Sequence, residues 1–219
     1  MTTIIAVTGR ADERVAPELA AVAVTVAVSG PDAERSLRDV ADAHTRLLGG
    51  IRELEAAGSL ERWSAGQVQT WSHRPWNADG RQLPPVFDAR TRVEVVFRDL
   101  AVLAAWAGGL GADDLVRIEG IDWRLTDATG RRVREQAQRR AVADAVAKAR
   151  VYAESLGLGT PVPVELADSG LLAPRDVPRP APLFARAVAM DAGSPAPELA
   201  PGDLVIEASV DARFSAEPA

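Results

Sequence analysis

Leu19-Ala20-Ala21-Val22-Ala23-Val24-Thr25-Val26-Ala27-Val28-Ser29 places valine at every second position and small or polar residues between. Strict period two marks a β-strand, and the face carrying Val22, Val24, Val26 and Val28 is expected to lie in a core. Towards the N-terminus, residues 3–10 also read as a strand. Asp12, Glu13 and Pro17 supply turn chemistry in between, so the two strands are expected to form an antiparallel pair. Towards the C-terminus, Ser29-Gly30-Pro31-Asp32 starts a helix, with Asp32 and Glu34 placed to complement its dipole. Leu37, Val40, Ala41, His44, Leu47, Leu48, Ile51 and Leu54 then recur at three- and four-residue steps, an amphipathic helix of about seven turns stopped by Gly58. Gly49-Gly50 inside it costs on the order of 1 kcal/mol per glycine, which predicts a bend or a close neighbour there.

Residues 60–74 and 86–98 read as the next strand pair, an antiparallel hairpin around the turn-rich Arg74–Arg81. In the second member Val93, Val95 and Phe97 alternate with Arg92, Glu94 and Arg98, one dry face and one wet. Asp99 caps a short alanine-rich helix, 100–108, which passes into a strand at 115–126. A long helix follows from Thr126 or Asp127 to about Leu156-Gly157. Its inward face is Val133, Ala137, Ala141, Ala145, Ala149, Ala153 and Leu156, small residues that allow a close approach to a sheet. Residues 161–167 form a short strand, and 204–213 alternate again as a terminal strand. The intervening Pro- and Ala-rich stretch, about 169–201, reads as an insertion within one domain spanning 1–219. The element order predicts an α+β fold: a mainly antiparallel sheet with two long helices and one short helix packed on one face.

The composition narrows the function classes. The 219 residues, 47% hydrophobic and 26% charged with mean hydropathy −0.03, describe neither a disordered nor a membrane-embedded chain. With no cysteine there are no disulfides, thiolate metal sites or cysteine nucleophiles. A net charge of −6 and pI near 5.1 disfavour nucleic acid and anionic membrane as partners. The start lacks a basic segment before an apolar run, so the expected location is cytoplasmic. Of the 25 basic residues only Lys148 is lysine, so a single arginine carries little information here.

Catalytic signatures are missing: there is no nucleophile elbow, phosphate-cradling glycine loop or dinucleotide fingerprint. His44 sits among Val40, Leu47 and Leu48 and reads as a boundary or core residue. His73, at a strand end beside Trp71 and Trp76, has no second ligand nearby in sequence, and an enzyme built on His73 and an unidentified carboxylate stays open as a third reading. The expectation is therefore no catalytic residue, no cofactor and no metal. Arg131, Arg132, Arg134, Arg139 and Arg140 read as a solvated helix face, because Glu135, Asp144 and the acidic whole oppose nucleic-acid binding. Asp113-Asp114 read as loop and cap residues. Trp63, Trp71 and Trp76 gather around the 60–98 hairpin, with Trp63 and Trp71 also able to alternate into the core. Trp71, His73 and Trp76 are the candidate ligand or subunit contacts.

Three segments resemble the SIMPL-domain family, the group of periplasmic immunogenic and oxidative-stress-defence proteins. They are Val7-Thr8-Gly9 with Val15, Pro17-Glu18 and Ala21–Val24; the alanine-rich run from Ala141 through Ala143-Asp144-Ala145, Ala147-Lys148-Ala149 and Tyr152-Ala153 to Leu156-Gly157; and Pro201–Leu204 leading into Glu207–Val210. The likeness covers nearly the whole chain. It implies an α+β domain that in some relatives builds ring- or barrel-like oligomers, with no agreed activity or cofactor, and it carries over no functional residue. Two departures stand out: many relatives carry a signal peptide, and the 169–201 insertion is longer than usual. The expected function is that of a non-enzymatic, self-assembling protein with a stress-related role, forming a homo-oligomer. The alternative is a small-molecule or carbohydrate binding module using the Trp-rich hairpin 71–84, its ligand unknown.

Overall fold

A computed structural model describes residues 1–77, 82–172 and 201–219. Its elements are β1 (Thr3–Val15), β2 (Leu19–Gly30), α1 (Ala33–Ala56), β3 (Leu60–Ala65), β4 (Gln69–His73), β5 (Val86–Phe97), α2 (Leu100–Leu110), β6 (Val116–Arg124), α3 (Asp127–Ser155), β7 (Val162–Asp168) and β8 (Leu204–Ala216). The class is α+β, with every ladder antiparallel. Most of the Pro- and Ala-rich stretch, 173–200, and the loop residues 78–81 lie outside the described residues. The chain folds as two compact units, β1, α3, β7 and β8 in one and β2 to β6 with α1 and α2 in the other.

The second unit is a sheet ordered β3-β5-β2-β6, with β4 also on β5. Val22, Val24 and Val26 are fully buried, as their alternation requires, and face Ala89, Val93, Val95 and Phe97 in one core. Over that face α1 lays Val40, Ala43, Leu47 and Ile51. Burying a valine, leucine or isoleucine contributes about 1.5–3 kcal/mol each. Asp32 caps α1 by accepting from the Arg35 N–H at 2.9 Å, and Gly58, at φ 75°, ends it. A Cβ at Gly49 or Gly50 would meet open space, so no close neighbour requires either glycine. Leu37 lies off the buried stripe and is exposed. Asp99 caps α2 through the Ala101 and Val102 N–H groups, and Trp106 tilts against Phe97 at 5.0 Å between ring centroids.

One pairing and one strand's continuity differ from the sequence expectation. β1 and β2 are not partners: β1 pairs with β8 from Thr3↔Ala216 to Val15↔Leu204, while β2 lies between β5 and β6. Pro17 lacks a backbone N–H, and the short link at residues 16–18 joins the last residue of β1 to a strand of another sheet. The expected strand 60–74 is likewise two strands, β3 and β4, both on β5. Gly66 interrupts it, its N–H donating to the Arg92 carbonyl at 2.8 Å and its own carbonyl accepting from the Thr91 hydroxyl at 3.0 Å.

The first unit is a sheet ordered β1-β8-β7 with α3 across β1 and β8. Val133, Ala137, Ala141, Ala145, Ala149 and Ala153 are all buried, a strict four-residue row. Beneath it Ile5, Val210, Ala212, Phe214 and Ala216 complete the core. Leu156, counted in the stripe from sequence, is exposed, because the helix ends at Ser155 and Gly157 turns the chain away at φ 67°. Gly9 explains how near the helix comes. A Cβ there would stand 2.0 Å from the Ala141 carbonyl oxygen and 2.8 Å from the Ala145 backbone nitrogen.

Candidate functional site

On β4 and β5 the face opposite α1 gathers polar side chains around one tryptophan. Trp71 lies directly across the ladder from Asp88, and His73 is two residues along the same strand. Asp88 is nearly buried, and each of its carboxylate oxygens is engaged. The Ser29 hydroxyl donates to Oδ1 at 2.5 Å, and His73 Nδ1 stands 2.8 Å from Oδ2. The Ser29 hydroxyl, followed by His73, holds the Asp88 carboxyl below the usual carboxylate range despite the opposing effect of burial. A carboxylate fixed on Nδ1 orients the imidazole and turns Nε2 outward. The Ser29 proton points at Asp88 and not at His73, so the three do not form a nucleophile–base relay. What the arrangement offers is an oriented hydrogen-bonding edge beside an aromatic face that is 49% exposed. Alongside runs an open groove of about 400 Å³, lined by Gln67, Gln69, Trp71, Arg90 and Arg92.

The other sequence candidates scatter. Trp76 is 87% exposed on the segment after β4, where Arg74 donates to the Leu83 carbonyl at 2.8 Å. Trp63 packs at the margin of the α1 core, as the in-facing alternative had it. His44 is half-buried on α1, and burial pushes its pKa down. Asp113 is a turn residue: it accepts from the Leu115 N–H at 3.1 Å and pairs with Arg46 at 2.9 Å. Arg131, Arg132, Arg134 and Arg139 lie on the exposed side of α3, and Arg140 pairs with Glu13 at 2.9 Å. Among the described residues, no group of three or more His, Asp or Glu side chains is gathered as a metal site would need. None of the helices described is long and apolar enough to cross a membrane.

Ser29 and Asp88 were missed at the sequence level. The alternation of β5 puts Asp88 on the wet face with Arg90 and Arg92, and the expected 60–74 and 86–98 hairpin sets the strand of His73 beside it, but nothing local says that β2 is the other neighbour and delivers Ser29.

A second surface belongs to the first unit. Among the described residues β7 is an edge strand, and α3 lies over β1 and β8 rather than over it. Val162, Val164 and Leu166 are 59, 61 and 56% exposed within seven residues, Leu166 on the face that α3 covers over β8 and Val162, across a bulge, on the other. Glu165, in their midst, is paired with Arg213 of β8 at 2.8 Å.

Compared with known proteins, residues 5–214 match a family model described as SIMPL, a protein of unknown function (DUF541). A search of curated proteins gives no match.

Proposed function

Because the chain belongs to the SIMPL family, described only as a protein of unknown function, we propose that it is a non-enzymatic protein that works by assembling with copies of itself. The observation that carries this reading is β7, an edge strand with three large apolar side chains more than half exposed. Open edges are templates for strand pairing, and apolar side chains on them add burial to the backbone hydrogen bonds. The like charge that would oppose two such edges is already offset, since Arg213 pairs with Glu165 within each chain. A stress-related role is proposed with it, on the family likeness.

Light scattering after size exclusion, at two salt concentrations, tests the reading. The expected result is a defined multiple of 23.2 kDa that survives salt. Val162→Glu with Leu166→Glu, both at exposed positions, is expected to reduce it to monomer. A wild-type monomer across a wide concentration range would remove the proposal.

A second reading is favoured by the Asp88-oriented His73 beside Trp71: a small-molecule or carbohydrate binding module on the β4–β5 groove. It predicts a tryptophan-fluorescence change with ligand that Trp71→Ala abolishes. Silence across a broad ligand panel would count against it.

A further inference from the structure

At Thr8 and Arg10 the side of β1 facing away from β8 is met by side chains of α3. The Arg10 N–H donates to Asp144 Oδ2 at 2.8 Å. Lys148 Nζ donates to the Thr8 carbonyl at 3.0 Å and to the same Asp144 oxygen at 2.6 Å. In an antiparallel ladder alternate residues turn their backbone groups toward the neighbour and away from it. Thr8 and Arg10 are two apart, and both give a backbone group to α3, so this is the pair that turns away from β8. A strand adding to β1 would have to supply an acceptor for that N–H and a donor for that carbonyl. Asp144 and Lys148 supply one of each.

The fit follows from matched spacings. Four residues of helix advance about 6.0 Å and two residues of strand about 6.8 Å, so successive members of one helical row meet alternate residues of an edge. Arg140, one step earlier in the same row, departs from this step and pairs with the side chain of Glu13, three residues beyond Arg10. Gly9, between the two clipped residues, lets the helix lie low enough for short side chains to bridge the gap. Lys148 is the single lysine in a chain that otherwise uses arginine, and its compact ammonium serves a carbonyl and a carboxylate together.

We propose that Asp144 and Lys148 act as an edge guard, standing in for a strand on β1 and so keeping a second copy of the chain from adding there. This rests on the self-assembly reading and gives it a direction. Contact between β7 of one copy and β1 of the next would be heterologous and could repeat without limit. Contact between like β7 edges closes on itself. With β1 guarded, the assembly is finite.

The test is the double variant Asp144→Ala with Lys148→Ala, in the full chain. Both positions are on a helix, where alanine is well tolerated, and far-UV circular dichroism checks the fold. The wild type is expected to keep one mass over a hundredfold range of concentration. The variant's mass is expected to grow with concentration, and its Arg10 amide to exchange at least about tenfold faster. A folded variant matching the wild-type mass throughout overturns the guard, as does a wild type that itself grows without limit. A monomeric wild type beside a self-associating variant removes the assembly reading and leaves the guard standing. Should the variant not fold, acetylating the folded wild type with an amine-selective reagent reaches Lys148 as its one side-chain amine. Growth in mass then supports the guard, and an unchanged mass overturns it.

Discussion

Gly9 sits where a strand and a helix come closest, and its role is steric. Its φ is not among the positive values, which among the described residues fall at Gly58, Gly157 and Gly170. A methyl group there would overlap the Ala141 carbonyl oxygen and the Ala145 nitrogen, atoms of the helix backbone that no rotamer change can move aside. Gly9→Ala therefore lifts α3 off β1, loosening the alanine row and drawing Asp144 and Lys148 away from the edge. Overpacking of a tight core costs about 1–3 kcal/mol, and a backbone clash belongs at the upper end. Urea unfolding followed by circular dichroism should show that loss; a midpoint shift worth less than about 0.5 kcal/mol would refute the account. The sequence showed Thr8-Gly9 as a family feature and the alanine row as a close-packing face. That the two meet needed the fold.

At the scale of elements, Asp88 is the point where three strands are tied, β5 holding the carboxylate between Ser29 of β2 and His73 of β4. Its pKa is lowered in the folded chain, the Ser29 hydroxyl being the first cause. A carboxyl with a depressed folded pKa adds stability above its unfolded value, near 3.9, and that contribution is lost as pH falls through the folded value. Asp88→Asn should be less stable than the wild type at pH 7, and the gap should narrow as pH drops below about 4. Thermal melts from pH 7 to pH 3 check this, and two parallel curves would contradict it. Asp113 and Asp144, also lowered, give both proteins a shared acid slope. Elements with strong periodicity were legible: β2, α1, α3 and β8 fall within a few residues of where alternation and caps place them. The break at Gly66 was not, since a lone glycine within a strand pattern reads equally as a bulge or as close approach.

For the whole molecule, what stayed hidden was long-range pairing; the hairpin of 60–74 with 86–98, local in sequence, was legible. Period two says that a strand has a dry face, but it says nothing about its neighbour, and β1 finds its partner at the other end of the chain, Thr3 opposite Ala216. The turn-like residues between β1 and β2 favoured a local hairpin, yet a register of thirteen residues with β8 buries Ile5 against Val210, Phe214 and α3, which β2 does not do. The same map makes the two units unequal in how they are strung. Every strand of the β2–β6 sheet, with α1 and α2, lies within Pro17–Arg124, whereas the other sheet joins the two ends of the chain. A segment of roughly 100 residues with its own core is large enough to fold alone. Pro17–Arg124 expressed by itself should therefore unfold cooperatively in urea and keep Val22, Val24 and Val26 protected from hydrogen exchange. A chain ending before Leu204 should lose protection in β1, since β8 is its partner in the sheet, while the β2–β6 sheet stays protected. Loss of protection across both sheets on that truncation would show that the β2–β6 sheet depends on the other unit, and would refute this division.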